Sequence, residues 1–130
     1  MPGDGQLTPS RERAIAAAHA ADAKLATDIL VLDVGGVLGI AEMFVIASAG
    51  NTRQSKAVAD EVELRLAEFD GSKPLRTEGM DDRQWILLDY GDIVVHVFVE
   101  ETREFYELER LWRDVESVSW QTPHLSGDRQ

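Results

Sequence analysis

Cysteine is absent from this chain, which excludes a disulfide framework, thiol catalysis and any cysteine-based metal site. No apolar run approaches the ~20 residues that a membrane span needs. The first residues, Met1-Pro2-Gly3-Asp4-Gly5, lack the basic-then-apolar order of a secretory signal. The three histidines, His19, His96 and His124, are too dispersed to argue for a metal centre. Basic residues are also scarce: 13 Lys and Arg stand against 24 Asp and Glu, for a formal net charge of −11. A field of that sign repels phosphate backbones, so direct recognition of nucleic acid is not expected. It suits a basic protein partner, whose encounter it accelerates, and it also simply keeps a domain soluble. The expected setting is the cytoplasm.

What is present fits one domain, since 130 residues build a single core but not two. Residues 1–7 read as a flexible leader. Thr8 can cap a helix with Pro9 in its first position. This helix runs to about Ala26 with a narrow stripe of Ile15, Ala18 and Leu25, and its small side chains predict shallow docking. Asp28–Val34 has strand composition, and Gly35-Gly36 breaks it. Met43–Ala49 is a nearly continuous apolar run, as expected of a strand buried on both faces. Asn51 or Thr52 caps a second helix reaching about Phe69, with Val58, Val62, Leu66 and Phe69 at helical spacing. Leu75–Gly79 is a candidate edge strand. A helix over Thr102–Trp112 places Phe105, Leu108, Leu111 and Trp112 on one side, read as core. Periodicity is lost after Asp114, so residues 115–130 read as a disordered tail. The order of elements predicts an α/β domain with a mixed sheet of about five strands flanked by helices.

The most specific segment is Trp85–Phe98, in which two apolar runs flank Gly91-Asp92. With those two as turn residues, Tyr90 pairs with Ile93, Leu88 with Val95 and Ile86 with Val97, and these six share one apolar face. The other face carries Trp85, Leu87 and Asp89 opposite Val94, His96 and Phe98. It is too apolar for a free surface and too polar for a comfortable core. Two readings stay open. The N-terminal helix covers this face and Asp89 bonds His96 or a backbone group, or the face is the centre of a protein interface with aromatic anchors.

The string W-I-L-L-D-Y-G-D-I-V-V-H-V-F, followed by F-Y-x-L-E-x-L-W over Phe105–Trp112, resembles the signature of the ribosomal silencing factor family, also called Iojap-like. Gly50-Asn51-Thr52-Arg53-Gln54 with the alanine-rich helix after it, and Asp28–Val34, are similar to two further family segments. The resemblance spans the first helix to Trp112, so residues 8–114 are identified as an Iojap-like domain. Asp82-Arg83-Gln84 departs from the Ala-Asp or Gly-Asp that relatives often place beside the tryptophan.

The resemblance implies a translation repressor. Such a protein docks on the large ribosomal subunit through its protein numbered fourteen, at the intersubunit face, and blocks joining of the subunits. Carried over by motif position, the docking residues are Trp85, Asp89, Tyr90 and His96, and the shared face adds Leu87 and Phe98. The second hairpin face can also carry a homodimer. The resemblance also implies a nucleotidyltransferase-like fold, which raises the question of catalysis. Such enzymes need two carboxylates at i and i+2 on one strand to hold Mg²⁺. Here Glu61/Glu63 and Glu107/Glu109 fall in expected helices, and Gly71-Ser72 has no strand dyad after it. Ser48 reads as a small packing residue and Arg53 as part of a helix start. No enzyme, cofactor or metal is therefore expected. The alternative function is a degenerate nucleotidyltransferase-like module that binds another basic protein.

Overall fold

Strand β2 (Met43–Ala49) is the axis of the fold, with all seven residues buried, as expected of a run apolar on both faces. The computed structural model describes residues 8–39, 41–107, 110 and 112–121. The leader, Ile40, Leu108, Glu109 of the Glu107/Glu109 pair, Leu111 and residues 122–130 therefore lie outside the described residues. On one side β2 pairs antiparallel with β1 (Thr27–Asp33). On the other it runs parallel to β5 (Ile93–Val99), from Met43 opposite Ile93 to Ala49 opposite Val99. β4 (Trp85–Asp89) and the three-residue β3 (Arg76–Glu78) extend the sheet antiparallel beyond β5. The mixed sheet has six strands, in the order β3-β4-β5-β2-β1-β6, where β6 is Glu116–Ser117.

The sixth strand, β6 (Glu116–Ser117), comes from the stretch read as tail. Residues 116–120 are instead strapped along the open edge of β1. Ser117 pairs with Leu32, the Val118 amide donates to the Val31 carbonyl at 2.7 Å, and the Trp120 indole donates to the Ile29 carbonyl at 3.2 Å. His19 meets the Trp120 carbonyl at 2.7 Å and its ring edge-on at 5.7 Å. These bonds occupy backbone groups that an uncovered edge strand would leave open.

One face of the sheet is covered by α1 (Pro9–Ala23) and α3 (Thr52–Asp70). The Thr8 hydroxyl accepts from the Arg11 amide at 3.1 Å to start α1, and the Asn51 side chain accepts from the Gln54 amide at 2.8 Å to start α3. Shallow docking of α1 is not what occurs. Ala14, Ala17, Ala18 and Ala20 are fully buried, while Ile15 is only half-buried and Leu25 is exposed beyond the helix end. Single-carbon side chains let the α1 backbone approach α3 and the sheet closely, so the alanines are the contact. In α3, Val58, Val62 and Leu66 are buried as their spacing requires. Phe69 is exposed in the last turn, just before the left-handed Gly71 cap.

The opposite face holds a smaller cluster of Leu32, Val34, Phe44, Ile46 and Phe98, with Trp112 and Val115 packed on it. Two short helices flank the strands, α2 (Gly35–Leu38) after β1 and α4 (Glu100–Tyr106) after β5. The expected helix over Thr102–Trp112 is corrected: α4 stops at Tyr106 because Glu107 adopts the left-handed conformation, with φ of 52°. That break ends the helical register, so Phe105 is 77% exposed rather than core, while Trp112 still reaches Phe44, edge-on at 5.2 Å. Among the described residues, no helix is long and apolar enough to cross a membrane.

Candidate protein-docking face

The β4–β5 hairpin closes in the register its sequence predicts. Ile86 lies opposite Val97, Leu88 opposite Val95, and the Tyr90 amide donates to the Ile93 carbonyl at 2.9 Å. Gly91 takes φ of 94°, a value that favours glycine at the first position of a two-residue turn. The Asp89 carboxylate accepts from the Gly91 amide at 2.8 Å. The six side chains of the apolar face are all buried beneath α1 and α3. Tyr90 is among them, so its motif position does not put it on the docking face. Its hydroxyl is buried without a hydrogen-bond partner among the described residues, and its ring lies under the Arg13 guanidinium, 5.5 Å from centroid to carbon. Burial, followed by the nearby charge of Glu63, pushes the phenol up to about 12.

A polar clamp fixes the hairpin tip. Arg13 of α1 pairs with Asp70 at the end of α3 at 2.9 Å and with Asp92 in the turn. The Ser10 hydroxyl donates to Asp92 at 2.6 Å. Burial tends to raise the Asp92 carboxyl, but bonds from Ser10 and Arg13 and the Arg13 charge outweigh it and hold the group below its ordinary range. The Asp92 carbonyl also accepts from the amides of Glu42 and Met43, at 2.8 and 3.1 Å, tying the turn to the start of β2.

The second hairpin face is not covered by α1, which lies on the other side of the sheet, and Asp89 does not bond His96. An aromatic row crosses this face instead. Trp85 leans on Phe98, with centroids 4.7 Å apart, His96 sits 4.7 Å from Phe44, and Phe44 meets Trp112. Coverage fades along the row. Phe98 is 2% exposed and His96 8%, so neither offers a direct contact surface, whereas Trp85 is 37% exposed and Leu87 is half-buried. The Trp85 indole N–H donates to His96 Nδ1 at 3.2 Å. Burial pushes the His96 imidazole down to about 4, so it is neutral near pH 7.

Trp85 and Leu87 line an open depression of about 400 Å³ together with Glu78, Gly79, Asp82, Gln84 and Thr102. Its rim carries an indole beside two carboxylates, Asp82 and a Glu78 that also pairs with Arg76, a combination suited to basic side chains with apolar stems. The sequence reading did not reach Glu78, Gly79, Asp82 and Thr102 as site residues. The only signal was Asp82-Arg83-Gln84 beside the tryptophan. Gly79 has φ of 81°, and a methyl group there would overlap the Trp85 carbonyl. The Ser55 hydroxyl, donating to the Arg83 carbonyl at 2.7 Å, fixes the 79–84 turn onto α3. Asp89 is already engaged, paired with Arg76 of β3 at 3.1 Å as well as with the turn. Its charge is therefore partly spent within the sheet.

Glu61 and Glu63 lie in α3, so this i, i+2 pair diverges. Among the described residues, no group of three or more His, Asp or Glu is arranged to hold a metal ion. Ser48 is buried and its hydroxyl accepts from the Arg103 guanidinium at 2.8 Å, and Arg53 is exposed in the first turn of α3.

A family model described as "Ribosomal silencing factor during starvation" matches residues 8–130. Ribosomal silencing factor RsfS of Bacillus subtilis (strain 168) is 42% identical over 98 residues, covering 75% of this chain and 82% of that protein. "Mitochondrial assembly of ribosomal large subunit protein 1" of Mus musculus is 36% identical over 89 residues, covering 67% of this chain and 39% of that protein. An X-ray structure of a Chromobacterium violaceum protein aligns with a TM-score of 0.77 at 30% identity, covering 88% of this chain and 94% of the other. The hairpin string, the sheet that carries it and these matches together establish that the chain belongs to the ribosomal silencing factor family.

Proposed function

We propose that this protein represses translation by docking on the large ribosomal subunit in the cytoplasm and occupying space that the small subunit needs. The partner contacted is the large-subunit protein numbered fourteen, and the mechanism is obstruction rather than chemistry. Trp85 and Leu87 are the apolar centre of the docking face, and Glu78 and Asp82 form its acidic rim. Asp89 and His96 support the face from within the hairpin.

The observation that carries this reading is a partly exposed indole on the rim of an acidic depression, on a chain of net charge −11. Aromatic anchors dominate interface energies, and complementary charge accelerates encounter with a basic partner. The family description supports the ribosome as the target, and the mouse relative's name supports its large subunit. The second hairpin face can also pair two copies of the chain, in which case self-association and docking compete for Trp85.

Sedimentation with purified subunits tests the proposal. The protein is expected to travel with large subunits, not with small subunits or bare ribosomal RNA, and to lower the yield of joined ribosomes when added first. Equal binding to both subunits, or binding with no effect on joining, overturns it. Mass measurement with and without large subunits reports whether a dimer dissociates on docking.

A further inference from the structure

His96 is an uneconomical residue for the place it occupies. Its ring sits 4.7 Å from Phe44 and stacks nearly parallel to Phe98 at 6.0 Å, and it is 8% exposed. The indole N–H of Trp85 can only donate, so the Nδ1 that receives it at 3.2 Å must carry a lone pair. The proton of the neutral ring is then on Nε2. That atom is buried and finds no hydrogen-bond partner among the described residues. A buried N–H without an acceptor is destabilising, and leucine in the same apolar site would carry no such penalty. The one thing His96 supplies that an apolar side chain cannot is an acceptor for the Trp85 indole.

We propose that His96 is a positioning residue for docking, which holds the Trp85 indole in one orientation through Nδ1. The inference rests on the reading of Trp85 as the docking anchor. Contact with Phe98 at 4.7 Å restrains the plane of the indole, and the bond to Nδ1 selects which edge faces inward. With the N–H turned toward His96, a partner meets the hydrocarbon edge of the ring beside Glu78 and Asp82. The matching group is the aliphatic stem of a lysine or arginine, whose charge then reaches the carboxylate rim. An anchor fixed before binding loses less side-chain freedom on docking.

The test measures affinity for purified bacterial large subunits, together with the ¹⁵N–¹H indole resonance of Trp85, assigned by its loss in Trp85→Phe. In His96→Leu that resonance is expected to move upfield and exchange faster, and affinity to fall about five- to tenfold, the scale of one hydrogen bond. His96→Asn places Oδ1 where Nδ1 stood and is expected to restore both the resonance and the affinity. His96→Gln, whose acceptor lies at the Nε2 position, is not expected to restore either. In a Trp85→Phe background, His96→Leu should weaken docking no further, because His96 acts only through the indole. If His96→Leu does not fold, the contrast between Asn and Gln decides. Should Trp85→Phe weaken docking while the Leu, Asn and Gln variants all bind as the parent does, the positioning role is refuted and the anchor stands. If Trp85→Phe itself binds normally, the anchor reading fails first.

Discussion

Leu88 and Trp85 belong to the same strand but opposite faces, so substitutions at the two should separate stability from docking. Leu88 is fully buried in the cluster that joins the sheet to α1 and α3. Leu88→Ala removes three carbons from a site closed on all sides and should cost ~2–5 kcal/mol of stability. Alanine at position 85 is a poor comparison. With 37% of the residue exposed, the covered part of the indole stabilises the fold by up to about 4 kcal/mol from area alone. Its removal would also uncover Phe98 and His96. Trp85→Phe keeps a ring over Phe98 and loses the bond to His96, for about 0.5–1.5 kcal/mol. Urea unfolding and binding to large subunits should be measured on the same samples. Leu88→Ala should lower the unfolding midpoint strongly and bind normally once corrected for its folded fraction. Trp85→Phe should unfold close to the parent and bind about tenfold more weakly, as expected of a central aromatic anchor. The opposite pattern, weak binding by folded Leu88→Ala and unchanged binding by Trp85→Phe, refutes the assignment of faces.

Two further outcomes follow from buried groups beside the anchor. His96 has an ordinary value of 6.5 and is held at about 4 by burial, so on acidification the unfolded chain takes up a proton before the folded one does. Stability should therefore fall as pH drops from about 6.5 toward 4, with about 2 kcal/mol lost by pH 5. Urea titrations at pH 7 and 5 check this, and His96→Leu should remove that part of the slope. Gly79→Ala should cost more than about 1 kcal/mol, because φ there is positive and the new methyl group meets the Trp85 carbonyl. Gly36→Ala, with nothing near its added carbon, should not, and thermal unfolding of the pair distinguishes the two.

The parts of the fold that were legible are those where one local rule decides. Gly91 and Asp92 between alternating runs fix the hairpin register, and the period of two then sorts every side chain of β4 and β5. The unbroken apolar run of β2 and the spacing of Val58, Val62 and Leu66 are equally local signals. Parts decided by distant contacts were not legible. Alanine carries almost no hydrophobic signal, so α1 reads as a weak stripe although Ala14, Ala17, Ala18, Ala20 and Ala21 are all buried. The strap at 116–120 is held by backbone pairing to β1, the indole bond to Ile29 and the contact of His19 with the Trp120 carbonyl, and none of these leaves a periodic trace. Phe105 was misplaced because a left-handed Glu107 stops the helix, and a non-glycine residue rarely announces that conformation.

The site shows the same division more sharply. Alternation correctly grouped Trp85, Leu87 and Asp89 with Val94, His96 and Phe98, but a shared face is not shared exposure. How far cover extends depends on where α4 ends and where the chain returns to lay Trp112 against Phe44, 68 residues away in sequence by the numbering of the two rings. That return buries the aromatic row through Phe98 and His96, and cover runs out at β4. Only a short edge strand, β3, lies beyond β4, and its side chains are exposed. Trp85 is thus partly open because it stands where the cover of the sheet thins. His96, one strand inward, is dry enough to stay neutral and close enough to receive the indole proton. The motif therefore encodes a bonded pair, the proposed anchor at the margin and its acceptor behind it, of which only Trp85 is open at the surface.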